Sequence, residues 1–274
     1  MYRLTSDRFF VSKEQSVAVE PRLPQPAYPE HTHDFDEIVI VCRGQGTHIL
    51  NGRPYVLYPG MVCYIQASDH HLYENVHELH LVNVLYRSKN HFHFLNDITP
   101  LLPNQPQDVN SHWCIAKRYS GQIQQLLNQL TDQQPRNLAY EESIFLQLLV
   151  TLNQACYSDQ GGGSNEDKVN QLMRWLQCNF VQAIDWPQLA EQFNLPLRSL
   201  HRHMKNNTGY TPQRYLTKLR LSDAHYQLCY SDNNITDIAF SCGFNDSAHF
   251  STAFKHEFDV TPSVLRGCRN KAMQ

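Results

Sequence analysis

The sequence predicts an α+β protein of two domains: a small β-barrel with two following helices, and then an all-α domain of two helix-turn-helix units joined by a long helix. Three observations predict this division. Short β-rich runs separated by turn residues occupy residues 15–95, three consecutive glycines stand at 161–163, and two similar segments fill the last third of the chain. With 274 residues, the chain is long enough for two domains with separate cores.

The first domain begins with short runs of apolar, β-branched and aromatic residues. The predicted strands are 17–19, 37–42, 47–50, 55–58, 62–65 and 79–85. Turn residues divide them at Gly44 to Gly46, after Leu50 at Asn51 and Gly52, and at Gly60. Many short strands with tight turns are typical of a small barrel or jelly roll.

Two helices are expected after the barrel, at 116–132 and 140–156, with Pro135 between them. Leu148 and Leu152 on the second helix either pair two copies of the chain or pack against the barrel. These features predict a ligand-binding and dimerisation domain at 1–157.

The segment 158–165 is predicted to be a flexible linker, because consecutive glycines resist both helix and strand. The helical domain follows at 166–274. Its predicted helices are 166–181, 186–193, 197–207, 211–230, 235–241, 246–257 and 262–267. Asp185, Asn234 and Asn245 precede apolar-periodic stretches, and we expect each to cap the helix that follows it.

The helical domain contains one pattern twice. Leu189 corresponds to Ile238 at a distance of 49 residues, and Pro212 corresponds to Pro262 at a distance of 50. The pattern predicts helix-turn-helix units at about 187–208 and 235–258. Two such units in tandem indicate a protein that reads DNA.

The second helix of the first unit has a basic face. Arg198, Arg202 and Lys205 share that face at helical spacing. Arginine offers two donors in a rigid fork that matches the acceptors of guanine in the major groove. We therefore expect Arg198 and Arg202 to contact bases, with Ser199 and His201 on bases or backbone; for an isolated helix, a solvated basic face would be the simpler interpretation.

The corresponding helix of the second unit offers fewer forked donors. Its candidate DNA contacts are Ser247, Ser251 and Lys255. Asp237 and Asp246 repel phosphate, so they either cap helices or contact a basic protein beside the DNA. The second unit is therefore expected to read bases weakly.

Charge and composition limit the other classes of function. The net charge is −3, with 11 basic and 16 acidic residues in 1–164 against 12 and 10 in 165–274. A C-terminal part that is only mildly basic predicts modest non-specific attraction to phosphate. Eight scattered cysteines fit reduced thiols, and the absence of a long apolar run predicts no membrane span. We expect a cytoplasmic protein.

A histidine motif stands at the start of the barrel. His31, His33 and Glu37 followed by Gly44 match the spacing of the first cupin signature, and a degraded second signature supplies His71. The barrel is therefore expected to be cupin-like. Two histidines, a carboxylate and a third histidine would suit a transition metal. The same groups would also suit hydrogen bonds to a small polar ligand, joined by Arg43, which is the favoured interpretation, or a structural role at the barrel mouth.

The helical domain also resembles a known family, the AraC/XylS transcription regulators, over residues 168–267. The residues that carry the resemblance are Leu189-Ala190, Leu200 to Lys205, Gly209 to Leu216, Ile238-Ala239, Cys242 to Phe244, His249 to Ser251, Phe254-Lys255 and Thr261-Pro262. The resemblance implies a two-headed DNA-binding domain that binds direct-repeat half-sites of double-stranded promoter DNA as a homodimer. It also implies that Asp237 and Asp246 contact the sigma subunit of RNA polymerase, while Ala248 departs from the polar base-reading residue often found there.

The N-terminal half resembles rhamnose-responsive members of the same family. The segments that carry this resemblance are 21–25, 29–35, 37–41, 51–55, 71–74, 84–88 and 112–113. It implies a sugar effector, L-rhamnose, without a cofactor. The expected function is a sugar-responsive transcription activator. A metal-dependent cupin enzyme fused to a DNA-binding domain and a repressor with the same DNA-binding fold are the alternatives.

Overall fold

A computed structural model of the chain describes residues 2–87, 91–102, 112–132, 137–157 and 163–272. The strands are β1 (Tyr2–Leu4), β2 (Val17–Arg22), β3 (Tyr28–His33), β4 (Asp36–Leu50), β5 (Arg53–Leu57), β6 (Met61–Ile65), β7 (His71–Tyr86) and β8 (His112–Cys114). They form one sheet in the order β1-β3-β7-β4-β6-β8, with β2 added to β7 and β5 added to β4. The prediction of a sheet-rich N-terminal domain is confirmed.

Strand β4 corrects the predicted turn at Gly44 to Gly46, because it passes through these glycines without ending. Its register with β7 shifts between Val41 and Thr47. Gly44 has a φ of +79°, and a Cβ there would lie 1.9 Å from the carbonyl oxygen of Glu78. Glycine therefore permits a bulge inside one long strand where the pattern predicted two strands.

Two helices pack on the barrel, α1 (Ser120–Thr131) and α2 (Leu138–Tyr157). Leu148 and Leu152 of α2 are 0% and 4% exposed within one chain, in a core that includes Phe145 and Trp113. Of the two expectations for these leucines, packing against the barrel is the one that the structure shows. Pro135 lies outside the described residues.

The remaining helices are α3 (Asn165–Asn179), α4 (Trp186–Gln192), α5 (Leu197–Thr208), α6 (Pro212–Tyr230), α7 (Ile235–Ser241), α8 (Ser247–Phe258) and α9 (Pro262–Ala272). Asp185 and Asn234 cap α4 and α7 as predicted. The cap of α8 is Asp246 rather than Asn245, since the Asp246 carboxylate accepts hydrogen bonds from the backbone of Ala248 and His249. In the part of the chain described, no helix is long and apolar enough to cross a bilayer.

Of the predicted linker, residues 158–162 lie outside the described residues. Ser164 already belongs to the start of α3, where it forms a reciprocal capping box with Asp167. The two domains touch beyond this point: the Arg118 guanidinium donates to the Asp167 carboxylate at 3.0 Å, and Arg53 donates to the carbonyl of Gln177 at 3.1 Å.

Candidate functional site

The basic face of α5 points away from the protein. Arg198, Arg202 and Lys205 are exposed, while Leu200 and Met204 on the opposite face are completely buried. No side-chain hydrogen bond or ion pair engages these three basic groups within the described residues. They are therefore free to contact phosphates or base edges.

His201 and Ser199 occupy the same helix. His201 is exposed beside Arg202, and Ser199 is partly buried. The structure thus brings all five predicted contacts of the first unit to one helix, with the basic groups outermost.

The corresponding face of α8 is less basic. Lys255 and Ala248 are exposed, and the Ser251 hydroxyl donates to the carbonyl of Ser247 at 2.9 Å within the helix. Both serines are only partly exposed. His249, which was not among the predicted contacts, is also exposed near the start of this helix.

The two acidic residues of the second unit lie at helix starts. Asp237 is exposed and pairs with Asn234 through reciprocal hydrogen bonds across the first turn of α7. Asp246 is exposed, and hydrogen bonds from the backbone of His249 and Ala248 lower the pKa of its carboxyl. Both groups stabilise helix starts as anions and still present charge to a partner.

A cavity opens into the barrel on the side of β3 and β7. His31, Glu37 and His71 line it. Its other polar lining residues are Glu20, Arg22, Gln25, Tyr28, Tyr73 and Asn83. The sequence pattern placed none of these six in the cavity, although Asn83 stands out as the polar residue inside the apolar run of 81–86.

Glu37 lies between two histidines, of which His71 lines the cavity and His33 does not. Its Oε2 is 3.5 Å from Nε2 of His33 and 3.8 Å from Nε2 of His71. His33 donates from Nδ1 to the carbonyl of Phe35, so its Nε2 carries a lone pair. These three donor atoms converge closely enough to hold a cation.

His31 adjoins this group, with its ring centre 4.1 Å from that of His71. Its Nδ1 donates to the carbonyl of Pro29 at 2.9 Å. Arg43 is exposed on β4 and does not line the cavity. Of the five predicted effector residues, the structure therefore brings four together and leaves Arg43 outside.

Burial keeps Glu37 and its neighbouring histidines uncharged. Burial raises the pKa of Glu37 to about 8, although the positive charge of the nearby Arg22 acts to lower it. The carboxyl is therefore largely protonated at neutral pH. Burial lowers the pKa of His33 to about 4 and that of His71 well below its ordinary value. Uncharged imidazoles and a protonated carboxyl provide donors and acceptors without net charge.

Comparison with known proteins identifies both halves of the chain. Residues 15–149 match the AraC-like ligand binding domain, and residues 189–267 match a helix-turn-helix domain. A protein of Mannheimia succiniciproducens named HTH-type transcriptional activator RhaS is 48% identical over 96% of this chain and 98% of its own length. The protein of that name from Yersinia pestis is 50% identical with the same coverage. The chain belongs to the AraC family.

Among solved structures, the C-terminal domain of AraT from Geobacillus stearothermophilus is 30% identical over 37% of this chain and 85% of its own, with a TM-score of 0.36. The predicted family and the α+β two-domain layout are confirmed by the family matches and the activator relatives. This AraC-family protein is a ligand-responsive, DNA-binding transcription activator. Its relatives are named as regulators rather than as enzymes.

Proposed function

We propose that this AraC-family protein activates transcription in response to L-rhamnose, which binds in the barrel cavity. The observation that carries the proposal is a set of buried polar atoms in the cavity wall that have no hydrogen-bond partner. They are His71 Nε2, Tyr73 Oη and Asn83 Oδ1. Buried polar groups of this kind are costly unless a ligand or water satisfies them, and sugar hydroxyls both donate and accept.

The character of the cavity supports a neutral sugar with one apolar end. Glu37 is protonated, the histidines are uncharged, and Arg22 pairs with Glu20 at 3.3 Å, so the wall carries no net charge and favours a neutral ligand over an anion. Beside the polar groups, Leu4, Phe35 and Leu85 form an apolar part of the wall. L-rhamnose has a methyl group where L-mannose has a hydroxymethyl, and the wall suits that methyl.

Calorimetric titration of the full chain tests the effector. We expect L-rhamnose to bind, and L-mannose to bind more weakly because its extra hydroxyl would be buried without a partner. Replacing Asn83 by leucine removes one acceptor at similar volume, so affinity should fall about tenfold. Arg43→Ala is the matched control and should leave affinity unchanged. Equal affinity in wild type and Asn83→Leu would place the sugar elsewhere.

We further propose that the protein binds direct-repeat half-sites as a dimer. The exposed basic face of α5 supports base reading by Arg198 and Arg202. The proposed phosphate contacts are Lys205, Lys255, Ser199, His201, Ser247 and Ser251. A footprint on the promoter, with and without L-rhamnose, tests this arrangement. Protection of a single half-site by a monomeric protein would overturn it.

Contact with the sigma subunit of RNA polymerase is the third part of the proposal. Asp237 and Asp246 are exposed on the second unit, and their charge is available to a basic partner. A repressor would need no such contact. Transcription assays on a promoter with bound protein therefore distinguish activation from repression by the sign of the response.

The convergence of His33, Glu37 and His71 also favours a second candidate, a divalent cation in the ligand cavity. In that case the bound cation would act with the sugar or in place of it. Metal analysis of Glu37→Gln protein tests the candidate, because loss of a carboxylate ligand removes the ion. A sugar that binds equally well in the presence of a chelator argues for the sugar alone.

A further inference from the structure

A second cluster of metal-binding side chains lies deeper in the barrel. It consists of His48 on β4, Cys63 on β6 and His112 on β8. His48 and His112 are completely buried and Cys63 is 2% exposed. None of the three lines the ligand cavity, so the cluster is not explained by the proposed effector site.

The strand pairing brings these residues together. Cys63 and His112 are direct partners in the antiparallel pair of β6 and β8. Aromatic rings hold both imidazoles in place: His112 stacks on Tyr55 with ring centres 3.7 Å apart, and His48 stacks on Tyr73 at 4.7 Å. The side chains are thus positioned before any ligand arrives.

The distances approach those of a tetrahedral metal site. Nδ1 of His48 is 2.8 Å from Nε2 of His112 and 3.7 Å from Sγ of Cys63. Zinc bonds of ~2.0 Å to nitrogen and ~2.3 Å to sulfur imply a nitrogen–nitrogen separation of about 3.3 Å and a nitrogen–sulfur separation of about 3.5 Å. The sulfur already lies within about 0.2 Å of its separation, and the two imidazoles need to move apart by about 0.5 Å.

The outer nitrogen of His48 has the partner that a metal-bound histidine requires. Its Nε2 is 2.9 Å from Nδ1 of His71. A histidine bound to a metal through one nitrogen donates from the other, and such a partner orients the ring. His48 can therefore bind a cation through Nδ1 while donating to His71.

We propose that His48, Cys63 and His112 form a binding site for a thiophilic d¹⁰ cation, Zn²⁺ or Cu⁺. Two imidazoles and a thiolate are ligands that these cations prefer over Mg²⁺ or Ca²⁺. When the cation binds, Cys63 releases its proton to solvent and the sulfur forms a bond to the metal, with no change of oxidation state. A water molecule completes the coordination of Zn²⁺.

The cation also determines which nitrogen of His71 carries hydrogen. A metal-bound His48 donates from Nε2, so neutral His71 accepts at Nδ1 and carries its hydrogen on Nε2. This Nε2 is the atom near Glu37, and His71 lines the ligand cavity. The site would thus present a donor from His71 to whatever occupies that cavity.

Metal analysis of the full-length protein, purified from cells supplied with Zn²⁺ and Cu²⁺, tests the site. We expect about one zinc or copper per chain in wild type and at least a tenfold loss in Cys63→Ala. Cys114→Ala, which removes another buried thiol of the barrel, is the matched control and should retain the metal. Glu37→Gln should also retain it, because Glu37 belongs to the other cluster.

A spectroscopic measurement keeps the test decisive if Cys63→Ala does not fold. Wild-type protein refolded with Co²⁺ should show thiolate-to-cobalt absorption, which only a sulfur ligand produces. The proposal is overturned if the wild-type protein contains neither zinc nor copper and shows no such absorption with Co²⁺. It is also overturned if metal is retained in Cys63→Ala but lost in Glu37→Gln, which would place the ion beside the ligand cavity. Binding of L-rhamnose is a separate measurement, and its failure would leave the metal result standing.

Discussion

The two helix-turn-helix units have the same internal plan but different surroundings. Leu200 and Met204 of the first unit belong to a core cluster that also contains Leu57 and Tyr58 of the barrel. Phe250 and Phe254 of the second unit belong to a separate cluster made only of residues from 221 onwards. The first unit therefore shares its stability with the ligand-binding domain, whereas the second has a core of its own.

Helix α6, which joins the two units, also contacts the barrel. Tyr58 and Tyr215 meet edge to face with ring centres 5.9 Å apart. Further along, Nδ1 of His225 lies 3.4 Å from a carboxylate oxygen of Glu74, one residue after Tyr73 of the ligand cavity. A change in the cavity can therefore reach α6 through one peptide bond and one ion pair, whereas its path to the second unit is longer.

The largest expected effect is on the free energy of unfolding, and its location in the chain should distinguish the two cores. Phe250→Ala and Leu200→Ala each remove a completely buried side chain, at a cost of roughly 3–5 and 2–5 kcal/mol. For Phe250→Ala, hydrogen exchange should rise in the helices around Phe250 and not in β5, whereas for Leu200→Ala it should rise in β5 as well. Phe94→Ala is the control, because it removes an aromatic ring that is exposed and should leave both cores intact. Equal protection in β5 of both variants would contradict the shared core.

The next effect concerns DNA affinity and contrasts the two reading helices. Arg202→Ala should weaken binding by ~1–3 kcal/mol and relax base preference at one position. Lys255→Ala on α8 should weaken binding on all sequences alike and reduce the salt dependence, as expected for a phosphate contact. Binding assays on a set of single-base operator variants measure both. Uniform weakening by Arg202→Ala would make it a phosphate contact too.

A smaller effect tests whether polymerase meets the second unit. Asp246→Asn keeps a good helix cap but removes the charge, so DNA affinity should persist while transcription falls several-fold. Asp185→Asn is the matched substitution at the exposed cap of α4 in the first unit. Transcription in vitro with purified polymerase compares them. An equal loss in both variants would assign the effect to helix capping.

The smallest expected effect is a pH dependence at the contact between α6 and the barrel. Burial alone would lower the pKa of His225, but hydrogen bonds with Cys229 and Glu74 outweigh it and raise that pKa to about 9. The raised pKa means that the contact stabilises the fold fully below the ordinary histidine pKa and loses this contribution as pH rises through about 9. The contribution is under about 1 kcal/mol.

Glu74→Gln tests that dependence, because it removes the anion beside His225 while preserving the shape of the side chain. The free energy of unfolding of wild type should fall more steeply between pH 7 and pH 10 than that of the variant. Phe258, whose ring centre lies 4.8 Å from that of His225, is uncharged and should not contribute. Parallel pH curves for the two proteins would show that the ion pair does not couple the domains.

Local pattern predicted the helical domain well. Asp185 and Asn234 were placed as caps because capping depends on a side chain and the backbone three residues later. Arg198, Arg202 and Lys205 were assigned to one face of a helix for the same reason: helical periodicity is a property of neighbouring residues. The cap of α8 was misplaced by one residue because Asn245 and Asp246 are both good caps.

The ligand cavity was predicted only in part. The spacing of His31, His33 and Glu37 indicated a polar site, since the three lie within one segment. Tyr73 and Asn83 join them because β7 pairs with both β3 and β4, and this pairing depends on register over long separations. Arg43 was misassigned because the bulge near Gly44 changes which way neighbouring side chains point.

The sequence by itself determined the two duplicated units, their unequal reading faces and the histidine motif of the barrel. Only the tertiary structure decided that the first unit shares a core with the barrel and that Cys63 meets His48 and His112. The physical reason is the range of the interactions involved. Helix faces and caps follow from residues a few positions apart, whereas shared cores and buried side-chain clusters depend on how distant segments pack.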